Sequence, residues 1–196
     1  MTVMYIHGYG SDGNATKGRM LRKMLPQCSV VSPTFDYDHC TPWQIQEQIR
    51  EAVVQNDVSM IVGSSFGGYH TLCATAFFHG VVWAINPVHD VEATVRRVVF
   101  TNEHEQAQGE NFVAIYSRFD KEVFQVQSRL NCSGNWPADT PLNFALSTND
   151  ELLGDHRPLL KLFPFHQRVV WKDNCGHRFL RFAELDLLDI GNCQSR

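Results

Sequence analysis

The stretch that decides the fold reads Met60-Ile61-Val62-Gly63-Ser64-Ser65-Phe66-Gly67-Gly68-Tyr69-His70. The apolar run from Ser59 to Val62 predicts a buried strand, and the segment from about Gly68 to His79 favours a helix. Between them, Gly63 to Gly67 fit the pattern G-x-S-x-G. This pattern is typical of a serine held in a sharp, strained turn, where glycine neighbours allow the chain to approach itself closely. Ser65 is therefore a candidate nucleophile.

The pentapeptide by itself is a weak signal, because glycine-serine runs are also common in loops. The predicted strand before it and the predicted helix after it supply the context that a nucleophile elbow requires. In that context the backbone amide of Phe66, at the start of the helix, would face negative charge that develops on a substrate.

Length and composition limit the classes of protein to consider. A chain of 196 residues is expected to form a single domain, residues 1–196, around one core. Its 43% hydrophobic and 19% charged residues are ordinary for a globular protein. A net charge of −4 without a basic run gives no reason to expect nucleic acid as a partner. No apolar stretch approaches the ~20 residues of a membrane span, so we expect no membrane insertion.

The cysteines and the N-terminal residues indicate the cellular compartment to expect. The beginning of the chain has no charged segment followed by a long apolar one, so we predict no secretory signal. We therefore expect a cytoplasmic protein in which the cysteines are reduced. The six cysteines form no C-x-x-C pair, which argues against a structural zinc site, and we expect no metal or organic cofactor. They are Cys28, Cys40, Cys73, Cys132, Cys175 and Cys193.

Short apolar runs alternate with helical segments along the chain, which is typical of a parallel sheet with crossover helices. We predict an α/β fold of three layers with a mostly parallel sheet of about six strands and little or no lid. The predicted strands are Thr2–Ile6, Cys28–Val31, Ser59–Val62, Val81–Ile85, Leu142–Ser147 and Val169–Trp171. The clearest predicted helix begins at Thr41-Pro42-Trp43-Gln44, where the threonine and the glutamine fit a capping box.

Other segments carry weaker signals. After Asp90 we expect a short helix, followed by a polar stretch, Asn102–Glu110, whose role the sequence leaves open. Apolar residues at helical spacing predict a helix over 119–130 and a last helix that begins at about Phe179 and ends at Gly191. The segment Cys132–Pro141 is rich in turn-forming residues and predicts a loop.

A serine nucleophile needs a base, and the base needs a carboxylate that orients it. Asp150 follows the strand Leu142–Ser147, and His177 follows the strand that ends at Trp171. Both positions are carboxyl ends of strands, where open α/β sheets place their sites, and the order Ser, Asp, His is one in which such triads occur. The sequence therefore predicts a triad of Ser65, His177 and Asp150.

Several alternatives remain open at this level. Asp150 could instead cap the next helix, and Asp155 or, less well, Asp120 could supply the carboxylate. Cys175 could act as a thiol nucleophile, although its nearness to His177 in one loop does not provide attack geometry. His70 could line a pocket or be an ordinary core histidine.

The loop after the first strand, His7-Gly8-Tyr9-Gly10, has the form of an oxyanion loop. The amide of Tyr9 would supply one hydrogen-bond donor and that of Phe66 the other. A glycine-rich loop at this place can also cradle a phosphate. However, the loop is not G-x-G-x-x-G, and the spacing to Lys17 does not match a Walker motif.

Together these motifs make the chain resemble the α/β-hydrolase superfamily, and within it the small, lidless esterases of the YqiA/YcfP-like family. The resemblance covers nearly the whole chain and rests on its Gly-Ser-Ser-Phe-Gly-Gly-Tyr run, on Ile85-Asn86-Pro87, on Asn149-Asp150-Glu151 and on Gly176-His177. It implies that Ser65 is the nucleophile, Asp150 the acid and His177 the base. The chain departs from the family at Phe66, where leucine is usual, at Asn149, where glycine is usual, and at Gly154-Asp155, in place of an Asp-Tyr pair.

The function expected from these residues is hydrolysis of carboxylic ester or thioester bonds through an acyl-enzyme, with small or accessible acyl groups as substrates. Two other functions are compatible with the sequence. One is a hydrolase-fold protein that binds a ligand without turnover. The other is an acyltransferase or peptidase that uses the same triad. The sequence gives no indication of the oligomeric state.

Overall fold

The computed structural model describes residues 1–98, 103–134, 141–165 and 168–188. Six strands form one fully parallel sheet in the order β2-β1-β3-β4-β5-β6. The strands are β1 (Thr2–Ile6), β2 (Ser29–Val31), β3 (Val58–Ser64), β4 (Val81–Ile85), β5 (Leu142–Ser147) and β6 (Arg168–Lys172). The predicted parallel sheet of six strands is therefore confirmed.

The strand order reverses between β1 and β3, because the chain leaves β1 in one direction to form β2 and then crosses back to form β3. At such a point the crossover connections diverge, and a crevice opens at the carboxyl ends of the two strands. The loop that begins with His7 and the turn that contains Ser65 follow these two strands directly.

The helices are α1 (Thr16–Met24), α2 (Pro42–Gln55), α3 (Phe66–Ala74), α4 (Val91–Val98), α5 (Glu103–Phe119), α6 (Gln125–Cys132) and α7 (Arg157–Leu162). The predicted capping box at the start of α2 is confirmed. The Thr41 hydroxyl accepts a hydrogen bond from the Gln44 amide at 3.3 Å, and the Gln44 side chain accepts one from the Thr41 amide at 2.8 Å. Pro42 occupies the first helical position, where its missing N–H costs nothing.

Alternation along the strands divides the core into two clusters on opposite faces of the sheet. In β1, for example, Met4 and Ile6 belong to one cluster, whereas Val3 and Tyr5 belong to the other. The first cluster includes residues of α2, α3, α4, α5 and α7, and the second includes residues of α1 and of the segment after β6. Helical and sheet layers thus form the predicted three-layer arrangement.

The last predicted helix, which was to end at Gly191, is wrong over its described part, Phe179–Leu188. Within the described residues this segment contains one 3₁₀ turn, Phe182–Glu184, and Phe179 has a positive φ of 50°. A phenylalanine in that conformation interrupts helical geometry. Four apolar side chains that suggested the helix are nevertheless buried or nearly so against the second face of the sheet: Phe179, Phe182, Leu185 and Leu188.

The structure confirms a short helix after Asp90 and adds a longer one. A short helix, α4, does follow Asp90, but residues 103–110 of the polar stretch belong to α5, which runs on to Phe119. The buried apolar residues of this helix, Val113, Tyr116 and Phe119, lie only in its second half, so its amino-terminal turns carry no periodic signal. A five-residue π-helical turn, Asp120–Phe124, then joins α5 to α6.

The turn at Ser65 brings helix α3 against the end of β1. The helix begins at Phe66, two residues before the predicted start, and ends at Ala74. A Cβ atom placed on Gly67 would lie 2.2 Å from the carbonyl oxygen of Ile6 and 2.4 Å from that of His7. Only glycine allows this approach, because both neighbours are backbone atoms that cannot move without displacing the strand.

Replacing Gly67 by alanine is therefore expected to lower the free energy of unfolding by about 3 kcal/mol or more. The cause would be steric overlap between the new methyl group and the carboxyl end of β1. Denaturant unfolding of the variant measures the effect. Gly10→Ala is the control, since nothing lies within 4 Å of its Cβ and only its positive φ of 65° opposes the change. Equal losses in the two variants would contradict the steric explanation.

Some predictions fall on residues outside the described ranges. These are Asn102, the part of the predicted Cys132–Pro141 loop that spans residues 135–140, and Cys193. Among the described helices, none combines the length and the apolar character needed to cross a lipid bilayer.

Candidate active site

Ser65 occupies a strained turn at the carboxyl end of β3. Its backbone has φ 58° and ψ −121°, a conformation that non-glycine residues rarely adopt. Its amide donates to the Ile85 carbonyl at 2.9 Å, and its carbonyl accepts from the amides of Tyr69 and Val88, each at 3.1 Å. These bonds to β4, to α3 and to Val88 fix the backbone of the turn.

His177 and Asp150 lie beside this serine. The hydroxyl oxygen of Ser65 is 2.7 Å from Nε2 of His177, and Nδ1 of the same ring is 3.0 and 3.1 Å from the two carboxylate oxygens of Asp150. Since the carboxylate only accepts, Nδ1 carries a proton and Nε2 is the nitrogen free to accept the serine proton. The structure thus brings the three predicted residues into one hydrogen-bonded line, although 112 positions separate Ser65 from His177.

The carboxylate of Asp150 is buried and amply hydrogen-bonded. One oxygen, Oδ1, accepts from the amides of Leu152 and Leu153 at 3.0 and 2.8 Å, and Oδ2 lies 3.1 Å from Nε2 of His156. Burial by itself raises the pKa of Asp150, but the hydrogen bonds from His156, His177 and Leu153 together outweigh it and hold the pKa well below its usual value. Asp150 is therefore an anion at neutral pH, as an orienting group for a histidine must be.

The alternatives named from the sequence lie elsewhere. The exposed Asp155 carboxylate accepts from the amide and the guanidinium of Arg157, each at 2.9 Å. Asp120 belongs to the π-helical turn and accepts from the hydroxyl of Tyr69 and the side chain of Gln125. Cys175 is fully buried in the second core cluster, and its thiol lies 3.6 Å from the carbonyl of Asp173.

Asn86 connects the end of β4 to the loop that carries His177. Its side-chain amide donates to the carbonyls of Gly176 and His177 at 3.0 and 3.1 Å, and its side-chain oxygen accepts from the amide of Ser147 at 2.7 Å. The residue is fully buried and has a positive φ of 39°, which asparagine tolerates better than most residues. This arrangement gives the Ile-Asn-Pro motif a physical role.

Asn149 and Glu151, on either side of Asp150, hold the same loop from the side of β5. The side-chain oxygen of Asn149 accepts from the amides of Cys175 and Gly176 at 3.1 and 3.3 Å. Glu151 accepts from the amide of His177 at 2.8 Å. The loop of the candidate base is thus fixed by the residues that flank the candidate acid.

Replacing Asn86 by alanine is expected to cost about 2–4 kcal/mol of stability, because three backbone groups lose their partner at once. We also expect hydrolytic turnover to fall at least about tenfold, since the backbone of His177 loses its anchor. Thermal unfolding and steady-state rates would measure the two effects. Asn86→Gly is the matched control, because glycine accepts the positive φ but makes no side-chain bonds. A glycine variant with wild-type stability and rate would show that the hydrogen bonds do not matter.

The loop after β1 borders Ser65 on the other side. A Cβ placed on Gly8 would lie 3.2 Å from Cβ and 3.6 Å from the hydroxyl oxygen of Ser65, so the loop passes directly beside the serine. His7 holds the loop: Nδ1 donates to the Gly8 carbonyl and Nε2 accepts from the Phe35 amide, both at 2.8 Å. Tyr9 follows in the turn, and the amide of Phe66, as the first of α3, has no acceptor within its own helix.

Aromatic rings line this side of the crevice. The ring of Tyr9 is 6.2 Å from that of Phe66 and 6.0 Å from that of Phe112, which belongs to α5. Tyr9 is 46% exposed, and its hydroxyl donates to the carboxylate of Asp38. The crossover between β4 and β5 thus contributes an aromatic side chain next to the elbow.

His70 belongs to the core and not to this crevice. It is fully buried, and its ring nitrogens lie 3.0 Å from the side-chain nitrogen of Gln46 and 3.0 Å from the hydroxyl of Tyr116. Burial, together with the nearby His7, lowers its pKa to about 3. A neutral imidazole with both nitrogens occupied serves packing and helix anchoring.

A cavity of about 320 Å³ lies beside the π-helical turn Asp120–Phe124 and α6, and Ser65, Asp150 and His177 do not line it. Its lining residues are His89, Asp120, Phe124, Gln125, Ser128, Arg129 and Leu162. In the parts of the chain that the structure describes, no three His, Cys, Asp or Glu side chains are grouped so that they could hold a metal ion.

The sequence analysis did not assign a role to two residues of this site, Asn86 and His156. Asn86 was noticed as part of a family motif, but only the folded chain reveals its contacts with Gly176 and His177. His156 lies six positions after Asp150 in an irregular segment, and no periodic or motif pattern connects it with the site. Its hydrogen bond to Asp150 depends on how that segment folds back.

Comparisons with known proteins place the chain in a family. Residues 2–187 match the model of the family described as "Uncharacterised protein family (UPF0227)", and the chain belongs to that family. The predicted resemblance to the YqiA/YcfP-like members of the α/β-hydrolase superfamily is thereby confirmed. No match was found among curated protein sequences.

The fold is shared with solved hydrolases of low sequence identity. Est1E from Butyrivibrio proteoclasticus is 13% identical at a TM-score of 0.68, with 96% of this chain and 84% of that one covered. The monoacylglycerol lipase of Paleococcus ferrophilus is 10% identical at a TM-score of 0.65, with 96% of this chain and 93% of that one covered. The esterase domain of a Rhodothermus marinus protein is 16% identical at a TM-score of 0.62, with 93% of this chain and 81% of that one covered. At these identities the likeness establishes the α/β-hydrolase fold and not the reaction.

Proposed function

We propose that this protein is a serine hydrolase that cleaves carboxylic ester or thioester bonds through an acyl-enzyme on Ser65. The observation that carries the proposal is the 2.7 Å contact between the Ser65 hydroxyl and Nε2 of His177, at a serine with positive φ and with Asp150 behind the histidine. A strained serine aligned with an oriented imidazole is the arrangement that activates a hydroxyl nucleophile. The esterases and lipase with the same fold are consistent with this reaction class.

In the first half of the proposed reaction, the Ser65 oxygen attacks the carbonyl carbon while Nε2 of His177 takes the hydroxyl proton. The carbonyl double bond opens to an oxyanion, which the amides of Tyr9 and Phe66 would stabilise by hydrogen bonds. Asp150 stabilises the imidazolium through Nδ1. When the tetrahedral intermediate collapses, His177 gives its proton to the leaving alcohol or thiol, and Ser65 remains acylated.

In the second half, His177 takes a proton from a water molecule, which attacks the acyl carbon. A second tetrahedral intermediate forms at the same oxyanion position. Its collapse returns the proton from His177 to the Ser65 oxygen and releases the carboxylic acid. Each step uses only the side chains and amides that surround Ser65.

The substrates that we propose have small or accessible acyl groups. Support comes from the exposed ring of Tyr9 beside Phe66 and Phe112, which gives an apolar wall open to solvent next to the nucleophile. A series of p-nitrophenyl esters of increasing chain length tests this. We expect kcat/KM to be highest for short chains, and a strong preference for long-chain esters would contradict the proposal.

The experiment that tests the reaction class is mass spectrometry after treatment with a fluorophosphonate probe, which reacts with activated serines. We expect one adduct on the Ser65 hydroxyl in the folded wild type and no adduct in Ser65→Ala. Glu47→Gln, on the exposed surface of α2, is the control and should label as the wild type does. Folded wild-type protein that takes up no probe would favour a binding protein without turnover. Adding alcohol or amine acceptors to the assay would distinguish an acyltransferase.

A further inference from the structure

We propose that His156 is a positioning residue for the reaction, because it fixes the orientation of the Asp150 carboxylate toward His177. The inference rests on the proposed function of Ser65, His177 and Asp150. It assigns a role to a second histidine that touches the acid but not the nucleophile.

The contact between the two side chains has one possible polarity. His156 is fully buried, and its Nε2 lies 3.1 Å from Oδ2 of Asp150, whose side chain is also fully buried. An ionised carboxylate only accepts hydrogen bonds, so Nε2 of His156 must donate. A hydrogen bond to a buried charge is stronger than one between neutral groups.

The donors around Asp150 are divided between its two oxygens. Oδ1 has the amides of Leu152 and Leu153, which belong to the backbone and stay in place. Oδ2 has the ring of His156, and Nδ1 of His177 lies almost equally far from both oxygens, at 3.1 and 3.0 Å. Without His156, Oδ2 would keep only the shared donor of His177. The carboxylate would then rotate to bring this oxygen more fully onto His177, and the balanced geometry would be lost.

The other nitrogen of His156 shows that the residue acts as a single donor. Its Nδ1 is buried and has no hydrogen-bond partner within the described parts of the chain. The ring of His89 lies 5.8 Å away, centroid to centroid, and its Nδ1 is likewise buried without a partner there. A second proton on His156 would therefore point at no acceptor. The other titratable groups around the pair are His89, Asp90, Glu151, Asp155 and His177.

Removal of the donor predicts a pH effect with a definite sign. The hydrogen bond from His156 is the foremost cause that lowers the pKa of Asp150, so its loss makes the carboxylate more basic. A more basic carboxylate favours the protonated form of the imidazole that it contacts. Because only the unprotonated His177 can take the Ser65 proton, the acid limb of the pH–rate profile should move to higher pH.

The test measures the rate of Ser65 labelling by the fluorophosphonate probe, and the turnover of a short p-nitrophenyl ester, between pH 5 and pH 9. In His156→Phe, which has no donor, we expect both rates at neutral pH to fall about tenfold. The acid limb of the pH–rate profile should move about half a pH unit to higher pH. His156→Gln places an amide N–H near the position of Nε2, so it should restore most of the rate and the wild-type acid limb.

A second pair of variants covers the case in which phenylalanine prevents folding. His156→Asn carries the same amide as glutamine on a shorter side chain that does not reach Oδ2, so it should behave as the phenylalanine variant does. His70→Phe is the control for the loss of a buried, hydrogen-bonded histidine away from Asp150. It should lower the melting temperature and leave the acid limb unchanged.

Two results would overturn the inference while leaving the proposed function intact. One is wild-type rates and pH profiles in His156→Phe or His156→Asn. The other is an equal loss of rate in all His156 variants with no movement of the acid limb, which would indicate a structural role only. Wild-type protein that fails to label at Ser65 would overturn the proposed function and this inference together.

Discussion

Ser65→Ala is expected to reduce ester turnover by about 10⁴–10⁶-fold and to leave the fold intact. Alanine removes the hydroxyl whose oxygen lies 2.7 Å from Nε2 of His177, and no other hydroxyl or thiol is in contact with that nitrogen in the described residues. The turn itself depends on backbone bonds to Ile85, Tyr69 and Val88, which alanine retains. Steady-state kinetics on a short-chain ester, with circular dichroism as the check on folding, measures the effect.

The same assay distinguishes the carboxylates. Asp150→Asn should lower turnover about 10⁴-fold, because a neutral amide can present its N–H to Nδ1 of His177 and so favour the wrong tautomer. Asp155→Asn is the matched control, since Asp155 is exposed and bonded to Arg157. It should retain the wild-type rate. A large loss in Asp155→Asn with little loss in Asp150→Asn would assign the acid role to Asp155 and contradict the geometry described above.

Acid is expected to unfold this protein below about pH 6, because several histidines are buried as neutral rings. Burial lowers the pKa of His7, of His89 and, to about 3, of His70. In the unfolded chain a histidine titrates near 6.5. A group whose pKa is lower in the folded state contributes stability above its unfolded pKa, and this stability is lost as the pH falls below that value. The loss therefore begins near pH 6.5 and continues toward pH 3.

The contribution of His70 can be isolated. Its carbonyl accepts from the side-chain nitrogen of Gln46, which fixes the amide so that the same nitrogen also faces Nδ1. A second proton on Nδ1 would thus meet a donor. From pH 7.5 to pH 4.5 this histidine alone should remove about 3 kcal/mol of stability.

Urea unfolding at several pH values tests the prediction. His70→Gln should be less stable than the wild type at pH 7.5 but should lose less stability on acidification. His39→Gln serves as the control, since the side chain of His39 is 83% exposed, and its pH dependence should match that of the wild type. A wild-type protein whose stability is constant between pH 7.5 and pH 5 would contradict the proposed cause.

Much of the fold could be predicted because its signals are local. Short buried runs, such as Thr2–Ile6 and Val81–Ile85, are recognisable as strands of a parallel sheet, which is apolar on both faces. The capping box at Thr41 and Gln44 is a contact between residues three positions apart, and it exists as predicted. The helix over Phe179–Leu188 was predicted wrongly for the opposite reason. Its apolar spacing reflects burial against the sheet, which an irregular segment also satisfies.

The candidate site likewise has one part that local sequence patterns predict and one part that they do not. The sequence by itself determined which residues could carry the chemistry, because a nucleophile elbow and loops after strands are local patterns, and it singled out Ser65, Asp150 and His177. Only the tertiary structure decided which residues these three contact. It aligned the serine with the histidine across 112 positions, anchored the histidine loop through Asn86, and gave Asp150 a second histidine as donor, His156. These contacts join segments that are distant in sequence or, for His156, a segment that folds back irregularly. No local pattern encodes a hydrogen bond whose two partners meet only when the sheet has formed.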